Sequence, residues 1–262
     1  MASDVGCRRD QNEDRILYVK PADQSELDRK GVLAIVADGM GGHQAGEVAS
    51  QLAMDVISRS YYRDEMSDPV AALKCAFEDA NCAIYNASQS DERLSGMGTT
   101  ATALVLKGGV AYFGHVGDSR LYRISTRGLS QLTEDHTLVA KMVKMGLIAP
   151  EEARLHPDRN ILTRSLGTQE AIDVALCGAP CLVQPGDYFV LCSDGLYDLV
   201  DEDEIKTAVL ADAPARACEK LIALAKERGG YDNVTVGILA IQGADETASS
   251  PPDTLDTAVK TT

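Results

Sequence analysis

The 262-residue sequence predicts an α+β fold of largely antiparallel sheets covered by helices. Three observations point there. Strand-like apolar segments cluster in the middle and at the end of the chain, helical segments fall in pairs between them, and two strands flank Gly108-Gly109, a hairpin signal. The pattern is neither strict β–α–β alternation nor all-β.

Residues 32–37 form a continuous apolar run that stops at Asp38-Gly39. Residues 46–64 place Val48, Leu52, Val56 and Ile57 on one helical face, and the same period recurs over 69–88 with Pro69 near the first turn. Residues 100–106 and 110–124 read as the two strands of the hairpin. Between 135 and 160 the periodicity weakens around Gly146, Pro150 and Pro157, which predicts a mobile helical insert. A strand over 187–192 halts at Ser193-Asp194-Gly195. Asp201-Glu202-Asp203-Glu204 opens a short helix with its acids at the positive dipole end. A helix over 215–228 ends at Gly229-Gly230, and the last strand covers 233–241. Past Gln242 the chain turns to Ser, Thr, Asp and Pro, so the expected organisation is one compact domain over 1–242 and a disordered tail over 243–262.

Twenty-five Lys and Arg stand against 40 Asp and Glu, a net charge of −15 that argues against a nucleic-acid groove or an anionic-membrane patch and fits a protein that binds cations. No run approaches the roughly 18 apolar residues a spanning helix needs. Met1-Ala2-Ser3-Asp4 has neither the basic flank nor the apolar core of a secretory signal. The seven cysteines include no C-x-x-C pair and read as reduced side chains of a cytoplasmic protein.

The chemistry lies in a repeated placement of aspartate. Asp38, Asp118, Asp194 and Asp232 each sit where an apolar strand meets a Gly, Ser or Asn turn, and Glu13-Asp14 precede the apolar stretch 16–19. Asp-Gly and Asp-Asn are ordinary turn formers, but Asp38 and Asp194 close strongly apolar strands, where aspartate is disfavoured. Hard oxygen ligands at strand ends suit Mg²⁺ or Mn²⁺, which take one or two carboxylates each and keep several waters. Two such ions would share a bridging water and bring its pKa near neutrality. Arg9, five residues before Asp14, offers a fork that matches two phosphate oxygens; the plainer reading pairs it with Asp10 or Glu13. In Gly39-Met40-Gly41-Gly42-His43, His43 is a candidate proton donor to a leaving alkoxide or, equally, a hydrogen-bond partner of a metal-site carboxylate.

Taken in order, Ser3-Asp4-Val5-Gly6, Arg9, Asn12-Glu13-Asp14, Val36-Ala37-Asp38-Gly39-Met40-Gly41-Gly42-His43, Gly96-Met97-Gly98-Thr99-Thr100, Gly117-Asp118-Ser119-Arg120, Leu132-Thr133-Glu134-Asp135-His136, Leu191-Cys192-Ser193-Asp194-Gly195-Leu196 and Gly229 to Thr235 resemble the metal-dependent protein serine/threonine phosphatases, the PPM family of type 2C, in their compact bacterial form. The resemblance implies a four-layer α-β-β-α sandwich of two packed, mainly antiparallel sheets flanked by helices, with a flap near 137–162. It implies two Mn²⁺ or Mg²⁺ ions bridged by Asp38 with the Gly39 carbonyl. Asp194 and Asp232 would hold one ion and Glu13 the other, with Asp14 close behind and a third, weaker site at Asp118. Arg9 would grip the phosphate. Many members place histidine directly after Asp-Gly, where this chain has Met40.

The implied reaction is hydrolysis of phosphoserine and phosphothreonine monoesters on proteins by a metal-bridging hydroxide, with a cognate Ser/Thr kinase and its substrates as partners of a monomeric enzyme. The alternative is a catalytically weak phosphoprotein-binding module of the same fold. Rival chemistries lack their residues. No cysteine has arginine six positions on, no Gly-Lys-Ser/Thr phosphate loop or G-x-S-x-G elbow occurs, and four scattered histidines give no zinc spacing.

Overall fold

The structure, a computed structural model, describes residues 1–41, 45–63, 65–179 and 181–243. His43 and the tail from residue 244 therefore lie outside the described residues. In chain order the elements begin with β1 (Ala2–Asp4), β2 (Asp14–Val19), α1 (Gln24–Lys30), β3 (Val32–Met40), α2 (Ala45–Arg63) and α3 (Pro69–Ser90). Then come β4 (Gly98–Thr99), β5 (Ala101–Lys107), β6 (Val110–Val116), β7 (Arg120–Ser125) and β8 (Gly128–Gln131). The insert helices α4 (Leu138–Lys144) and α5 (Pro150–Ala153) precede β9 (Ala175–Leu176), β10 (Cys181–Leu182) and β11 (Tyr188–Cys192). The chain closes with α6 (Asp194–Tyr197), α7 (Glu202–Ala211), α8 (Pro214–Glu227) and β12 (Val234–Ala240).

One sheet runs β1-β12-β11-β7-β8 and the other β10-β6-β5-β3-β2, with β4 on β3 and β9 on β6. Among the described residues every strand pairing is antiparallel. Three apolar clusters make the four layers explicit. On β3, Leu33, Ile35 and Ala37 pack toward α2 and α3, whereas Ala34 and Val36 meet Leu121, Phe189 and Leu191 between the sheets. On β11, Val190 and Cys192 turn the other way, toward Leu196, Ile205 and Leu221 of α6, α7 and α8. Central strands buried on both faces have no polar side to show, which is why they read as unbroken apolar runs. The expected sandwich is present.

The helices obey their end signals. Asp68 accepts from the Val70 amide ahead of Pro69, and at the start of α7 the Asp201 amide donates to Glu204 Oε2 at 3.1 Å while its carbonyl accepts from the Glu204 amide at 3.0 Å. The expected single strand over 110–124 is corrected. It is two strands, β6 and β7, in different sheets, because Gly117, at φ 109°, turns the chain through Asp118 and Ser119 from one layer to the other. β3 also continues through Gly39 to Met40 rather than stopping at Asp38, since the Asp38 carbonyl accepts from the Thr100 amide and Thr99 Oγ1 while β4 pairs with its end. The insert is closed at its base by a Thr137–Leu162 bridge and by the Leu138 amide on the Ile161 carbonyl, 2.8 Å.

Candidate metal centre

Register brings the first two acids together. Asp14 and Asp38 are direct partners across β2 and β3, at the end of the sheet where both strands meet turns. Glu13 is held beside them by backbone: its amide donates to Asn233 Oδ1 at 2.8 Å and its carbonyl accepts from the Gly39 amide at 3.2 Å. Asp194 and Asp232 come from the second sheet, at the close of β11 and just before β12. Gly195 lets those two turns meet, because a Cβ there would stand 2.0 Å from the Asn233 carbonyl oxygen. Gly39 is equally constrained, its would-be Cβ 2.1 Å from the Gly46 carbonyl oxygen. Asp118 enters from the turn between the sheets, its carbonyl accepting from the Tyr197 hydroxyl at 3.1 Å.

Arg9, Glu13, Asp38, Gly39, Asp118, Asp194 and Asp232 line one cleft of about 500 Å³, with Asp14 buried behind it. Arg9 donates through Nη2 to Asp232 Oδ2 at 2.7 Å rather than to Asp10 or Glu13. Its side chain stays half exposed. Met40, not a histidine, is the cleft residue after Asp38-Gly39.

Electrostatically the site is unfinished. Burial pushes Asp14 up to about 6 and Asp118 to about 7. Burial also raises Asp38 well above the ordinary carboxylate range, aided by the charges of Asp14, Asp194, Asp118 and Asp232; burial and the Asp118 and Asp232 charges do the same to Asp194. One oxygen each of Glu13, Asp14 and Asp194 is buried without a hydrogen-bond donor. Desolvated, mutually repelling carboxylates with bare lone pairs fit hard divalent cations, which would supply the missing charge. Among the described residues no three acidic, His or Cys side chains close a ready-made cage. A cation here would complete its shell with water, as Mg²⁺ and Mn²⁺ do.

Residues 10–229 match the family described as protein phosphatase 2C. The chain belongs to that family. It is 36% identical over 251 residues to "Protein phosphatase PhpP" of Streptococcus pneumoniae, covering 94% of this chain and 98% of PhpP. To "Serine/threonine protein phosphatase PstP" of Mycobacterium tuberculosis it is 38% identical over 219 residues, 84% of this chain and 42% of PstP. Among solved structures, the PstP catalytic domain in complex with two manganese ions superposes with TM-score 0.79 at 35% identity, covering 92% of this chain and 96% of that one. Stp1 of Staphylococcus aureus gives TM-score 0.83 at 34% identity, covering 92% and 94%.

This phosphatase 2C chain also recruits residues to which sequence reading gave no role. Ser193 Oγ donates to Asp14 Oδ2 at 2.7 Å and accepts from the Thr235 amide at 3.1 Å, so one hydroxyl ties both sheets to the acid. Asn233 binds the Val5 and Gln11 carbonyls as well as the Glu13 amide, pinning the loop that carries Arg9. Both residues sit in the quoted motifs next to an acid, which was the available signal. Asn160 and Arg164, at the base of the insert, line the cleft as well. Nothing in their local sequence marks them.

Proposed function

We propose that this chain hydrolyses phosphoserine and phosphothreonine monoesters on proteins and so reverses a cognate Ser/Thr kinase. The observation that carries the reading is the convergence of Asp38, paired across the strands with Asp14, on Asp118, Asp194 and Asp232, with buried oxygens left bare. PhpP and PstP, named as protein phosphatases, and a PstP structure holding two manganese ions support it.

In this reading Asp38, with the Gly39 carbonyl, would be the ligand common to two Mn²⁺ or Mg²⁺ ions. Asp194 and Asp232 would hold one ion and Glu13 the other, and Asp118 would contribute to a third, weaker site. When bound, the cations supply a lowered pKa for water and positive charge at the phosphoryl oxygens. Asp14 backs Asp38 and is itself oriented by Ser193. Arg9 engages Asp232 through one terminal nitrogen, which leaves the rest of its fork for two phosphate oxygens at the cleft mouth. His43 is the proposed proton donor to the departing serine or threonine oxygen; Met40, inside the cleft, has no proton to give.

Residues 1–242 constitute the catalytic domain in this reading and 243–262 a tail. None of the described helices is long and apolar enough to cross a membrane, and we read the enzyme as a cytoplasmic monomer. With a phosphothreonine peptide in Mn²⁺, Asp38→Asn should abolish turnover, and Arg9→Ala should chiefly raise KM. Near-wild-type kcat in Asp38→Asn would refute the assignment.

A further inference from the structure

The metal-site cleft opens into a second one of about 920 Å³, between the insert helices and the α6–α7 segment; Asp118, Asn160 and Asp194 line both. Its floor is aliphatic, built by Val139, Ala140 and Val143 on α4, Ala153 on α5 and Val200 opposite. Its four basic side chains are all engaged. Arg120 holds Asp135 at 2.7 Å, Lys144 holds Glu134 at 2.8 Å, Arg154 holds Asp201 at 2.9 Å and Arg159 faces Asp198 at 3.8 Å. Glu202 and Asp203, on the first turn of α7 at the rim, have no ion-pair partner among the described residues. The wall away from the metal centre therefore keeps a negative excess over an apolar floor.

We propose that this second cleft seats the polypeptide flanking the phosphorylated residue and selects a segment that combines an aliphatic side chain with an arginine or lysine. The inference rests on the phosphatase reading above. Polarity fixes the orientation: the phosphate is repelled by the acidic rim and stays at the Arg9 end, while a cationic flank is drawn to Glu202 and Asp203. A cationic flank can also exchange with Arg154 on Asp201. Both members of that pair are mostly exposed, so breaking it costs little. Because Arg154 and Arg159 belong to the insert and Asp201 and Asp198 to the opposite wall, the exchange would occur where the two walls of the cleft are joined.

The test uses matched phosphothreonine peptides with arginine or glutamate flanks, in Mn²⁺, each kcat/KM divided by the same protein's value on a small aryl phosphate that has no flank. Wild type should favour the basic peptide by about tenfold or more, and Glu202→Gln/Asp203→Asn should cut that preference to below about threefold. Arg154→Gln/Arg159→Gln, which releases Asp201 and Asp198, should raise it, a gain that general damage would not produce. No preference in wild type, or an unchanged preference in Glu202→Gln/Asp203→Asn, overturns the proposal. Fluorescence anisotropy of the same labelled peptides reads the cleft without turnover. Selective binding that depends on Glu202 and Asp203, in a protein inactive on both substrates, would sustain the cleft and refute the phosphatase reading.

Discussion

Asp14 shows how single residues set up this centre. One of its oxygens accepts from Ser193 and the other is buried with no donor. Burial lifts its pKa to about 6, so at neutral pH it is an expensive anion held in readiness for a nearby cation. Ser193→Ala removes the 2.7 Å hydroxyl donor to Asp14 and also orphans the Thr235 amide. The expected loss is about 2 kcal/mol in urea unfolding of the metal-free protein, and larger in saturating Mn²⁺, because a misplaced Asp14 weakens the centre it backs. An equal loss in both conditions would show that the hydroxyl serves packing alone. Gly195→Ala should be harsher than its size suggests, because the new Cβ would meet the Asn233 carbonyl oxygen at 2.0 Å. Forcing the Asp194 and Asp232 turns apart should weaken Mn²⁺ affinity at least tenfold; unchanged affinity would show that the turns can separate without cost.

At the scale of elements, the turn between β6 and β7 is braced by a relay of buried polar groups. Thr100 Oγ1 accepts from the Asp38 amide and bonds Ser119 Oγ, while Thr102 Oγ1 donates to the Ser119 carbonyl and bonds His115 Nδ1. The His115 ring lies 4.7 Å from that of His136, whose Nδ1 accepts from the Gly117 amide. Burial lowers His115 to about 4, and burial with the His115 neighbour lowers His136 to about 3. An unfolded histidine titrates near 6.5, so as pH falls below that value the unfolded chain takes up a proton that the folded imidazole refuses. Stability is then lost toward pH 4. His115→Gln lacks this linkage, so the stability gap between wild type and variant should be about 1 kcal/mol narrower at pH 5.5 than at 7.5. A gap independent of pH would contradict a neutral, buried His115.

Legibility followed the range of the interactions. Asp38 and Asp194 stood out because an acid that interrupts an apolar strand is locally costly, and the helix ends at Pro69 and Asp201 carry their own capping chemistry. The layer change at Gly117 was not legible as such, since 110–124 keeps strand character on either side of the turn. Neither was the partner of Arg9, because Asp232 lies 223 positions away, and no spacing rule reaches that far.

For the molecule as a whole, the −15 charge and the cluster of desolvated acids make folding and cation binding one problem. A ligand that binds only the folded state at a hundred times its Kd stabilises by about 2.7 kcal/mol, which for a domain of this size is several degrees in Tm. Mn²⁺ added to metal-free protein should therefore raise Tm by about 5–10 °C. No shift would argue against a site confined to the fold. The same charge predicts that raising ionic strength slows capture of basic phosphopeptides. An unchanged kcat/KM from low to high salt would remove long-range steering from the account.

Calorimetric titration of the metal-free protein with Mn²⁺ examines the centre most directly. Two tightly bound ions per chain in wild type, with both sites weakened together in Asp38→Asn, are expected of a single carboxylate shared between the cations. Binding of one ion or none, or an Asp38→Asn isotherm that matches wild type, would contradict it.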